Sequence, residues 1–291
     1  MRFLIDFIRV LLHRILPKNR VGDKIYAFIN FVFKHRRFPT NKMIFNDVLY
    51  RIKISDEILD PLRIFVTDKE YGKIYIKSLV GEEFIVPTLK IFQKYEELID
   101  YNFPSECCIK PTHLSGEFIL KVQDTKINYE KIKKWFSMNY YYRSREANYK
   151  SLKPKVIVEA LVFNDLHIRD YRFWCYKGKV KLINVDCEDS EPESESKLQI
   201  KKRTFFNLNW NEQDYNLKYN REDVPKPSNL KQMISVAEKI CSNFDFIRVD
   251  IFTDGTKCFV GEITNIHANA SNKFIPLSGS GEKTASETIF N

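Results

Sequence analysis

Residues able to bind phosphate stand together in the stretch Cys108–Val122, CIKPTHLSGEFILKV. An apolar run there ends at Lys110, breaks into a short polar loop with Thr112, Ser115 and Gly116, and then returns to an apolar run. Such a loop can offer backbone N–H groups, hydroxyls and an ammonium group to a phosphate. An ordinary hairpin contains the same residue types, and this stretch alone favours that simpler interpretation.

Two carboxylates occupy facing places in the last predicted hairpin. Asp250 lies in the run RVD, and Glu262 lies in the run GEIT. Antiparallel pairing about the turn at residues 253–256 is expected to bring both side chains to one face. Two like charges repel each other there unless a cation or a proton intervenes, and Mg²⁺ often joins carboxylates to substrate phosphates. The pair therefore predicts a metal site for a nucleotide, and the alternative is two exposed carboxylates paired with lysines.

The composition is that of a globular protein with an excess of positive charge. The 291 residues include 47 lysines and arginines against 38 aspartates and glutamates, a formal net charge of +9. This charge favours an anionic partner such as a nucleotide, an acidic sugar or an anionic lipid, although a solvated basic surface needs no partner. Hydrophobic residues make up 44% of the chain and glycines number only nine, which excludes disordered and collagen-like classes.

The six cysteines predict no disulfide framework. They lie at positions 107, 108, 175, 187, 241 and 258, form no CxxC pair and match no zinc spacing. Most stand in apolar, strand-like runs, where cysteine behaves as a small hydrophobic residue. We interpret them as reduced thiols, which predicts a cytoplasmic protein.

The first twenty residues, MRFLIDFIRVLLHRILPKNR, predict a helix with one apolar face. Charged residues interrupt the segment, so it is a poor transmembrane span and a poor signal peptide. The face could lie on the inner surface of a membrane, or it could pack against the rest of the protein. Its members are Phe3, Leu4, Phe7, Ile8, Leu11, Leu12 and Ile15.

The first half of the chain predicts helices before a strand pair. Residues 1 to about 60 are expected to be mainly helical, and Asp68 is expected to cap a helix from Lys69 toward Val80. A short strand and turn are predicted at 82–87, and a second helix at 91–100. Two strands, 107–111 and 117–123, flank the polar loop, and a helix is predicted over 129–146.

The second half predicts mainly hairpins. A strand over 155–163 carries Glu159 in its middle, and strands 170–176 and 179–186 turn at Lys177-Gly178. A loop is predicted at 188–197, a helix at 228–242, and a long hairpin from 246–252 to 257–264. This mixture of helices and antiparallel hairpins predicts an α+β fold.

The order of these features resembles the ATP-grasp fold, and in detail the TupA-like ATP-grasp family of polysaccharide gene clusters. Seven segments between about residues 36 and 280 carry the likeness in the family's order. They are FNDVLYRIK with PLRIFVTDKEYGKIYIK, GEEFIVPTL, CIKPTHLSG, VIVEALV, DYRFWCYKGKVKLINVD, KRTFFNLNW and FIRVDIFTDGTKCFVGEIT. The resemblance implies a helical N-terminal segment (1–60), a central ATP-grasp subdomain with the phosphate loop (61–160) and a C-terminal subdomain with the metal-binding hairpin (161–291).

The resemblance also implies which residues bind ATP. Lys73 and Lys110 would contact the phosphates, and the loop Thr112–Gly116, with Ser115 near its tip, would close over them. Glu159 and Leu161 would lie at the hinge that receives adenine and ribose. Lysine suits phosphate because its ammonium is a flexible point charge.

The metal and the reacting groups follow from the same resemblance. Asp250, Glu262 and Thr264 would hold Mg²⁺, and Arg172 and Arg248 would sit where an anionic transition state needs positive charge. Two positions depart from the family's pattern. Leu114 stands where the loop usually has another glycine, and Thr264 stands where many ATP-grasp enzymes have asparagine; Asn265 follows it. His113 and His267 fall near the predicted site, and we expect both to be structural.

The activity implied is that of an ADP-forming ligase. ATP-grasp enzymes typically convert a carboxylate into an acyl-phosphate, which an amine then attacks. The TupA-like branch suggests an acidic sugar, such as a nucleotide-linked hexuronic acid or a glycan, joined to an amino acid or amine in surface polysaccharide biosynthesis.

Other functions remain open at this stage. A glycosyltransferase or a sugar kinase of the same gene clusters would also use a metal, and a protein that binds ATP without catalysis would explain Leu114 and Thr264. The basic, aromatic run at 133–145 could bind nucleic acid as part of a non-enzymatic module. An aromatic helix packed on the core explains that run better, so no nucleic-acid partner is expected.

Overall fold

Helices and antiparallel sheets alternate along the computed structural model, which describes residues 10–123, 125–163, 169–189, 199–217, 220–276 and 281–290. This arrangement confirms the predicted α+β class. The helices are Arg20–His35, Phe45–Ile54, Pro61–Thr67, Lys69–Val80, Glu96–Ile99, Tyr129–Ser137, Tyr141–Ser144, Leu230–Cys241 and Gly281–Phe290, with 3₁₀ turns Asp56–Leu59, Glu82–Phe84, Ala147–Tyr149 and His267–Ala270. The strands are β1 Thr88–Phe92, β2 Cys107–Pro111, β3 Ile119–Lys121, β4 Val156–Ala160, β5 Arg169–Tyr176, β6 Lys179–Asp189, β7 Gln199–Phe206, β8 Tyr215–Asn216, β9 Phe246–Thr253, β10 Cys258–Thr264 and β11 Ile275–Pro276.

A four-stranded sheet carries the polar loop that follows Lys110. Its strands lie in the order β1-β4-β2-β3, and each neighbouring pair is antiparallel. Ile109 of β2 and Val158 of β4 pack with Trp135 of the helix Tyr129–Ser137 in one buried cluster. The loop between β2 and β3 therefore projects from a well-packed support.

A five-stranded sheet, in the order β10-β9-β5-β6-β7, carries most of the predicted metal and arginine residues. Side chains alternate between its faces, as they must along a strand. Phe173 packs with residues of the helix Leu230–Cys241 on one face, and Trp174 packs against Phe45 on the other. Asp170 and Arg172 share the second face, so an apolar core gives way there to a charged surface.

The helix Lys69–Val80 lies between the two sheets. The side chain of Asp68 accepts a hydrogen bond from the backbone N–H of Glu70 at 2.9 Å, which confirms the predicted cap. Ile76 belongs to the core of the five-stranded sheet. The backbone N–H of Lys69 donates to the carbonyl of Thr112 at 3.1 Å. The start of this helix therefore contacts the polar loop, while its body packs on the other sheet.

Two predicted elements after this helix are wrong. Residues 82–87 contain the 3₁₀ turn Glu82–Phe84 instead of a strand, and only Ile85 forms an isolated bridge, to Val260. The predicted helix at 91–100 is replaced by β1 and the short helix Glu96–Ile99. Ile91 and Phe92 pair with β4, and this partner, distant in the chain, overrides the local preference.

Two further elements are shorter than predicted. The helix expected over 129–146 is interrupted at Met138, whose backbone is extended. The side chain of Asn139 then accepts a hydrogen bond from the N–H of Tyr141 at 2.9 Å and starts a new helical turn. The strand expected over 155–163 ends at Ala160. Of the loop predicted at 188–197, residues 188 and 189 lie in β6 and the others lie outside the described residues.

A buried arginine makes several of the contacts that attach the described part of the N-terminal segment. The guanidinium of Arg145 donates to the carbonyls of His13, Leu16 and Pro17 at 2.9, 2.7 and 2.7 Å, and it pairs with Asp23 at 3.1 Å. Residues 1–9, with four of the seven residues of the predicted apolar face, lie outside the described residues. Within the described ranges, no helix is long and apolar enough to span a membrane. The proposed boundaries at residues 60 and 160 stay a prediction.

Candidate functional site

The two lysines predicted to bind phosphate converge on one glutamate. Nζ of Lys110 lies 2.6 Å from Oε2 of Glu159, and Nζ of Lys73 lies 2.5 Å from Oε1, although its approach is not aligned as a hydrogen bond. Lys73 also donates to the carbonyl of Val86 and the hydroxyl of Thr88, both at 2.7 Å. The helix Lys69–Val80, β2 and β4 thus place three predicted residues together.

Burial and charge act in opposite directions within this group. Burial raises the pKa of Glu159, but Lys110 and Lys73 more than offset it and hold that pKa below its usual value. Burial likewise lowers the pKa of Lys110, and Glu159 more than reverses the effect. Burial prevails at Lys73, whose pKa is lowered. The carboxylate therefore stays ionised and holds two ammonium groups beside the inner strands β4 and β2 of the four-stranded sheet.

The polar loop is anchored by one hydroxyl and presents another. Thr112 is buried, and its hydroxyl donates to Oδ2 of Asp68 at 3.1 Å; it supports the loop, so its direct contact with a nucleotide stays a prediction. Ser115 is half-buried in the loop, and its contact with a nucleotide stays a prediction. Gly116 is exposed with φ +74°, and a Cβ there would meet nothing within 4 Å. Glycine is needed for backbone conformation there and not for close packing.

Lys69 is not among the residues predicted from the sequence, but the structure places it at the centre of the site. Its Nζ donates to the carbonyl of Leu114 at 2.5 Å and lies 3.7 Å from Oε1 of Glu262. Burial lowers the pKa of Lys69, with Glu262 acting against this. Its position immediately after the cap residue Asp68 was the available signal, since the first helical turn is the part that meets the loop. Lys69 therefore joins the polar loop to the metal-binding hairpin.

Asp250 and Glu262 are directly paired across β9 and β10, and a β-bulge makes this possible. Val260 pairs with Ile251, but Glu262 pairs with Asp250, which leaves Gly261 as an extra residue in β10. Without the bulge, Glu262 would move to the other face. A Cβ at position 261 would lie 2.4 Å from the ring of Phe252. A larger residue at position 261 would collide with this ring. The glycine therefore permits the bulge that pairs Glu262 with Asp250.

Arg248 holds the metal-binding strand in place. Its guanidinium grips Asp250 through two hydrogen bonds of 2.6 Å and donates to Thr264 Oγ1 at 3.1 Å. A third nitrogen lies 2.5 Å from Nδ1 of His267. A guanidinium only donates, so Nδ1 accepts and the imidazole is neutral. Burial, with the charge of Arg248 adding to it, lowers the pKa of His267 and favours the same state.

A charged row crosses the five-stranded sheet beside this pair. Arg172 on β5 lies 2.7 Å from Asp170, 2.5 Å from Asp186 and 3.7 Å from Asp250. Asp186 also pairs with Arg203 of β7. The sequence analysis named only Arg172 and Asp250 here. The alternation in DYR and VD, which puts every second residue on one face, was the signal that could have added the others.

One carboxylate of this row keeps an oxygen without a partner. Oδ1 of Asp170 is buried and accepts no hydrogen bond among the described residues. Burial raises the pKa of Asp170. The positive charge of Arg172 opposes this rise, and the negative charge of Asp250 adds to it. A buried acceptor of this kind is uncommon in a folded protein.

Charges from both sheets act on Glu262. Burial raises its pKa, but Lys69, Arg248, Lys110 and Arg172 together hold it below its usual value. Lys110 belongs to the four-stranded sheet, whereas Arg172 and Arg248 belong to the five-stranded sheet. The predicted phosphate-binding and metal-binding groups therefore face one shared region.

The carboxylate pair fits a magnesium ion that also binds phosphate. Within the described ranges, no group of three His, Cys, Asp or Glu side chains could hold a metal by itself. Mg²⁺ commonly takes only one or two carboxylates and completes its shell with phosphate oxygens and water. Glu262 is one-third exposed and, among the described residues, has only Lys69 as an ion-pair partner. Each Asp250 oxygen has a lone pair beyond its bond to Arg248. Asp250 and Glu262 are the residues that would hold the ion; the role of Thr264 stays a prediction.

Other candidate residues prove to be structural or stay untested. Nε2 of His113 lies 3.0 Å from the carbonyl of Trp135 in the buried core, as expected for a structural histidine. Asn265 bonds Arg63 and Thr67, so it points away from the metal pair. Leu161 is half-buried just after β4 and makes no contact that tests its proposed role at the hinge. A cavity of about 730 Å³ near Asp56, Asp60 and Asp245 includes none of the predicted site residues.

Comparison with known proteins identifies the class and then the family. The sequence profile of the TupA-like ATP-grasp family matches residues 49–280. The chain therefore has an ATP-grasp fold, and it belongs to the TupA-like ATP-grasp family, as the resemblance predicted. No match was found among curated proteins.

Solved structures with a similar fold are distant in sequence. The D-alanine–D-alanine ligase from Helicobacter pylori is 17% identical, with a TM-score of 0.40, 78% of this chain covered and 60% of that chain. The L-amino acid ligase from Bacillus licheniformis is 10% identical, with a TM-score of 0.43 and coverages of 87% and 54%. The D-alanine–D-alanine ligase from Bacillus anthracis, complexed with ATP, is 13% identical, with a TM-score of 0.35 and coverages of 69% and 54%. The chain thus spans roughly half to two thirds of the length of these proteins.

Proposed function

We propose that this protein is an ATP- and Mg²⁺-dependent ligase that joins a carboxylate to an amine. The observation that carries the proposal is the approach of Lys69, from the helix beside the polar loop, to Glu262 of the metal-binding hairpin. Lys110 and Lys73, the predicted phosphate-binding lysines, pair with Glu159. Asp250, the other predicted metal ligand, pairs with Glu262 across the hairpin. Membership of the TupA-like ATP-grasp family supports the same function.

The residues suit a reaction in two steps. In the first, a carboxylate oxygen of the acid attacks the γ-phosphorus of ATP, the bond to the β-phosphate oxygen breaks, and ADP leaves. In the second, the amine attacks the acyl carbon, phosphate leaves with the bonding electrons, and the amine loses a proton to give the amide. Such phosphoryl transfer depends mainly on positioning and charge neutralisation.

Each group of the chain has a role in that scheme. Lys73, Lys110 and Lys69 bind and orient the phosphates, while Asp250 and Glu262 hold the metal, which when bound neutralises phosphate charge. Arg172 and Arg248 supply positive charge beside the transferred group. The free oxygen of Asp170 can accept a hydroxyl of the nucleotide or the sugar.

We infer an acidic sugar as the activated substrate. A hexuronic acid carried on a nucleotide or glycan has the carboxylate that the reaction needs, and its negative charge suits a chain of net charge +9. Surface polysaccharide biosynthesis, in the cytoplasm, is the setting that the family resemblance suggests. The amine partner would be an amino acid or a simple amine.

The direct test is ADP release from ATP and Mg²⁺, with UDP-hexuronic acids crossed against amino acids and simple amines. We expect ADP release only when both an acid and an amine are present, together with the mass of a new amide. ADP release with the sugar alone and a phosphorylated product would identify a sugar kinase. Tight ATP binding without ADP release in any mixture would favour a non-catalytic protein, and absence of ATP binding would refute the assignment altogether.

We also propose that the N-terminal region contacts an anionic membrane surface. Val21, Ile25 and Phe28 of the helix Arg20–His35 are exposed and recur at helical spacing, just after the predicted apolar face of the first twenty residues. Exposed cations, Arg14, Lys24 and Arg36, lie along the same region, and this charge complements anionic lipid. The exposed apolar residues there are Val10, Leu11, Ile15, Val21, Ile25, Phe28 and Phe38.

Vesicle sedimentation tests this contact. We expect the full chain to bind vesicles that contain phosphatidylglycerol, and the triple variant Val21→Gln, Ile25→Gln, Phe28→Gln to bind roughly tenfold less, because apolar area is lost from the interface. A control with Ile74→Gln and Ile99→Gln, which changes exposed apolar residues elsewhere, should bind like the unmodified protein. Equal loss in both variants, or no loss in the first, would contradict a membrane-binding face.

A further inference from the structure

The turn His267–Ala270, which follows the metal-binding hairpin, has an unusual backbone. Ala268, Asn269 and Ala270 have positive φ angles of 45°, 57° and 54°, and none of them is a glycine. Residues with a Cβ seldom adopt this left-handed region, and three in succession raise the free energy of the folded chain. Such strain persists only where surrounding contacts enforce it, and it is concentrated at functional sites. The fold therefore maintains this turn against a local cost.

Contacts from distant segments of the chain hold the turn in place. Nε2 of His35, at the end of its helix, donates to the carbonyl of Ala270 at 2.8 Å. The side chain of Asn269 donates to the carbonyl of Ser144 at 3.0 Å, and Nζ of Lys53 donates to the same asparagine. The turn is therefore fixed to three other parts of the protein, and these contacts determine where its first side chain, the histidine, lies.

His267 is buried between an aromatic ring and a guanidinium. Its ring centroid lies 4.9 Å from that of Trp174, with an angle of 63° between the two planes. Its Nδ1 accepts a hydrogen bond from Nη1 of Arg248 at 2.5 Å. The other two nitrogens of this guanidinium bind Asp250 at 2.6 Å each, and one of them also donates to Thr264 at 3.1 Å. Among the described residues, His267 is thus the acceptor that satisfies the remaining nitrogen of Arg248.

The second ring nitrogen of His267 has no partner of its own. Because Nδ1 accepts and the ring is neutral, the proton is on Nε2. Nε2 is buried and has no hydrogen-bond acceptor among the described residues, and a buried donor without a partner costs stability. A phenylalanine would pack beside Trp174 without this cost. The histidine is therefore explained by the acceptor that it offers to Arg248 and not by its packing.

We propose that His267 is a positioning residue, which holds the guanidinium of Arg248 so that it grips Asp250 and keeps its positive charge beside the transferred group. The inference rests on the proposed ligase function and adds to it a residue that acts through Arg248 without touching the substrate. Small displacements of a group that must meet a transition state can cost large factors in rate. Burial, with the charge of Arg248 adding to it, lowers the pKa of His267, which keeps Nδ1 free to accept.

Two replacements of His267 separate positioning from packing. His267→Phe keeps a ring beside Trp174 but has no acceptor, whereas His267→Asn loses the ring and can place its amide oxygen where Nδ1 lies. For the acid and amine identified by the ADP-release screen, we expect kcat to fall about 100-fold in His267→Phe and less than about 10-fold in His267→Asn. The KM of ATP should change by less than about threefold in both. The melting temperature should show the opposite order, with His267→Phe the more stable variant.

A double-mutant cycle tests whether His267 acts through Arg248. Arg248→Lys lowers kcat by itself, and adding His267→Phe to it should lower kcat by less than about twofold more, because the two residues form one unit. His13→Phe is the matched control. His13 also packs against an aromatic ring, that of Tyr26 at 5.0 Å, and its Nε2 is likewise without a partner, so this variant should keep kcat within about twofold.

The outcomes distinguish the positioning role from the ligase function itself. If His267→Phe were as active as His267→Asn, or if it caused the same 100-fold loss when Arg248 is already lysine, the positioning role would be refuted while the ligase function stood. If the unmodified protein released no ADP with any acid and amine, the ligase function would fail, and the positioning role would fail with it.

Discussion

Replacing Lys110 by alanine is expected to lower ADP release by roughly 10³-fold, equivalent to about 4 kcal/mol of transition-state stabilisation. Lys110 lies at the end of β2, and its Nζ is 2.6 Å from Glu159 at the edge of the predicted phosphate site. Its loss removes one of the three cations that face this region. Steady-state ADP release with a substrate pair identified by screening would measure the effect.

The same substitution disturbs a buried pair, so stability must be separated from catalysis. Without Lys110, the buried Glu159 keeps only Lys73 as a partner, and breaking a buried ion pair can cost about 3–5 kcal/mol of unfolding free energy. The double variant Lys110→Met, Glu159→Gln removes both charges and should recover much of this stability without recovering turnover. Lys90→Ala, in the exposed part of β1, should behave normally. Full activity of folded Lys110→Ala would refute the phosphate-binding role.

Glu262→Gln is expected to lower turnover by at least about 10²-fold and to raise the Mg²⁺ concentration that gives half-maximal activity. Glu262 pairs with Asp250 across the hairpin and is the more exposed of the two carboxylates, at 34% against 5%. The change is isosteric and leaves Lys69 with its bond to Leu114, so the fold should persist. A magnesium titration of ADP release, with circular dichroism as a check on folding, would measure both effects.

A variant of Asp250, the residue paired with Glu262, provides a second test of the magnesium site. Asp250→Asn should also abolish turnover, but it weakens the grip of Arg248 and should lower the melting temperature as well. Asp254→Asn, in the exposed turn of the same hairpin, is the matched control and should leave the magnesium dependence unchanged. If Glu262→Gln lost activity without any shift in that dependence, Glu262 would act by charge on the substrate and not as a metal ligand.

The sequence by itself determined the hairpins and most of the groups that carry chemistry. Lys177-Gly178 and the turn near Gly255 mark reversals that the structure confirms, because glycine adopts positive φ there, +72° and +93°. Alternation along β5 is also visible in the sequence, although it was not used to predict that Asp170 and Arg172 share a face. The order of lysines and carboxylates along the chain indicated the family. These signals are local, or depend only on order, and they can be read without knowing which elements meet.

Contacts between distant segments were decided only by the tertiary structure. Residues 88–92 form a strand because β4, more than sixty residues later, supplies hydrogen-bond partners. Lys69, and not only Lys73, enters the site because the start of its helix meets the polar loop.

Asp250 and Glu262 show most clearly which features the sequence predicts and which depend on tertiary packing. The turn at 253–256 predicted that Asp250 and Glu262 would approach each other, but an uninterrupted ladder would have placed Gly261 opposite Asp250. The bulge at Gly261 corrects the register by one residue, and the ring of Phe252 leaves room only for glycine there. The sequence thus predicted that the two carboxylates would lie on one face, but the bulge that puts them there depends on packing across the two strands.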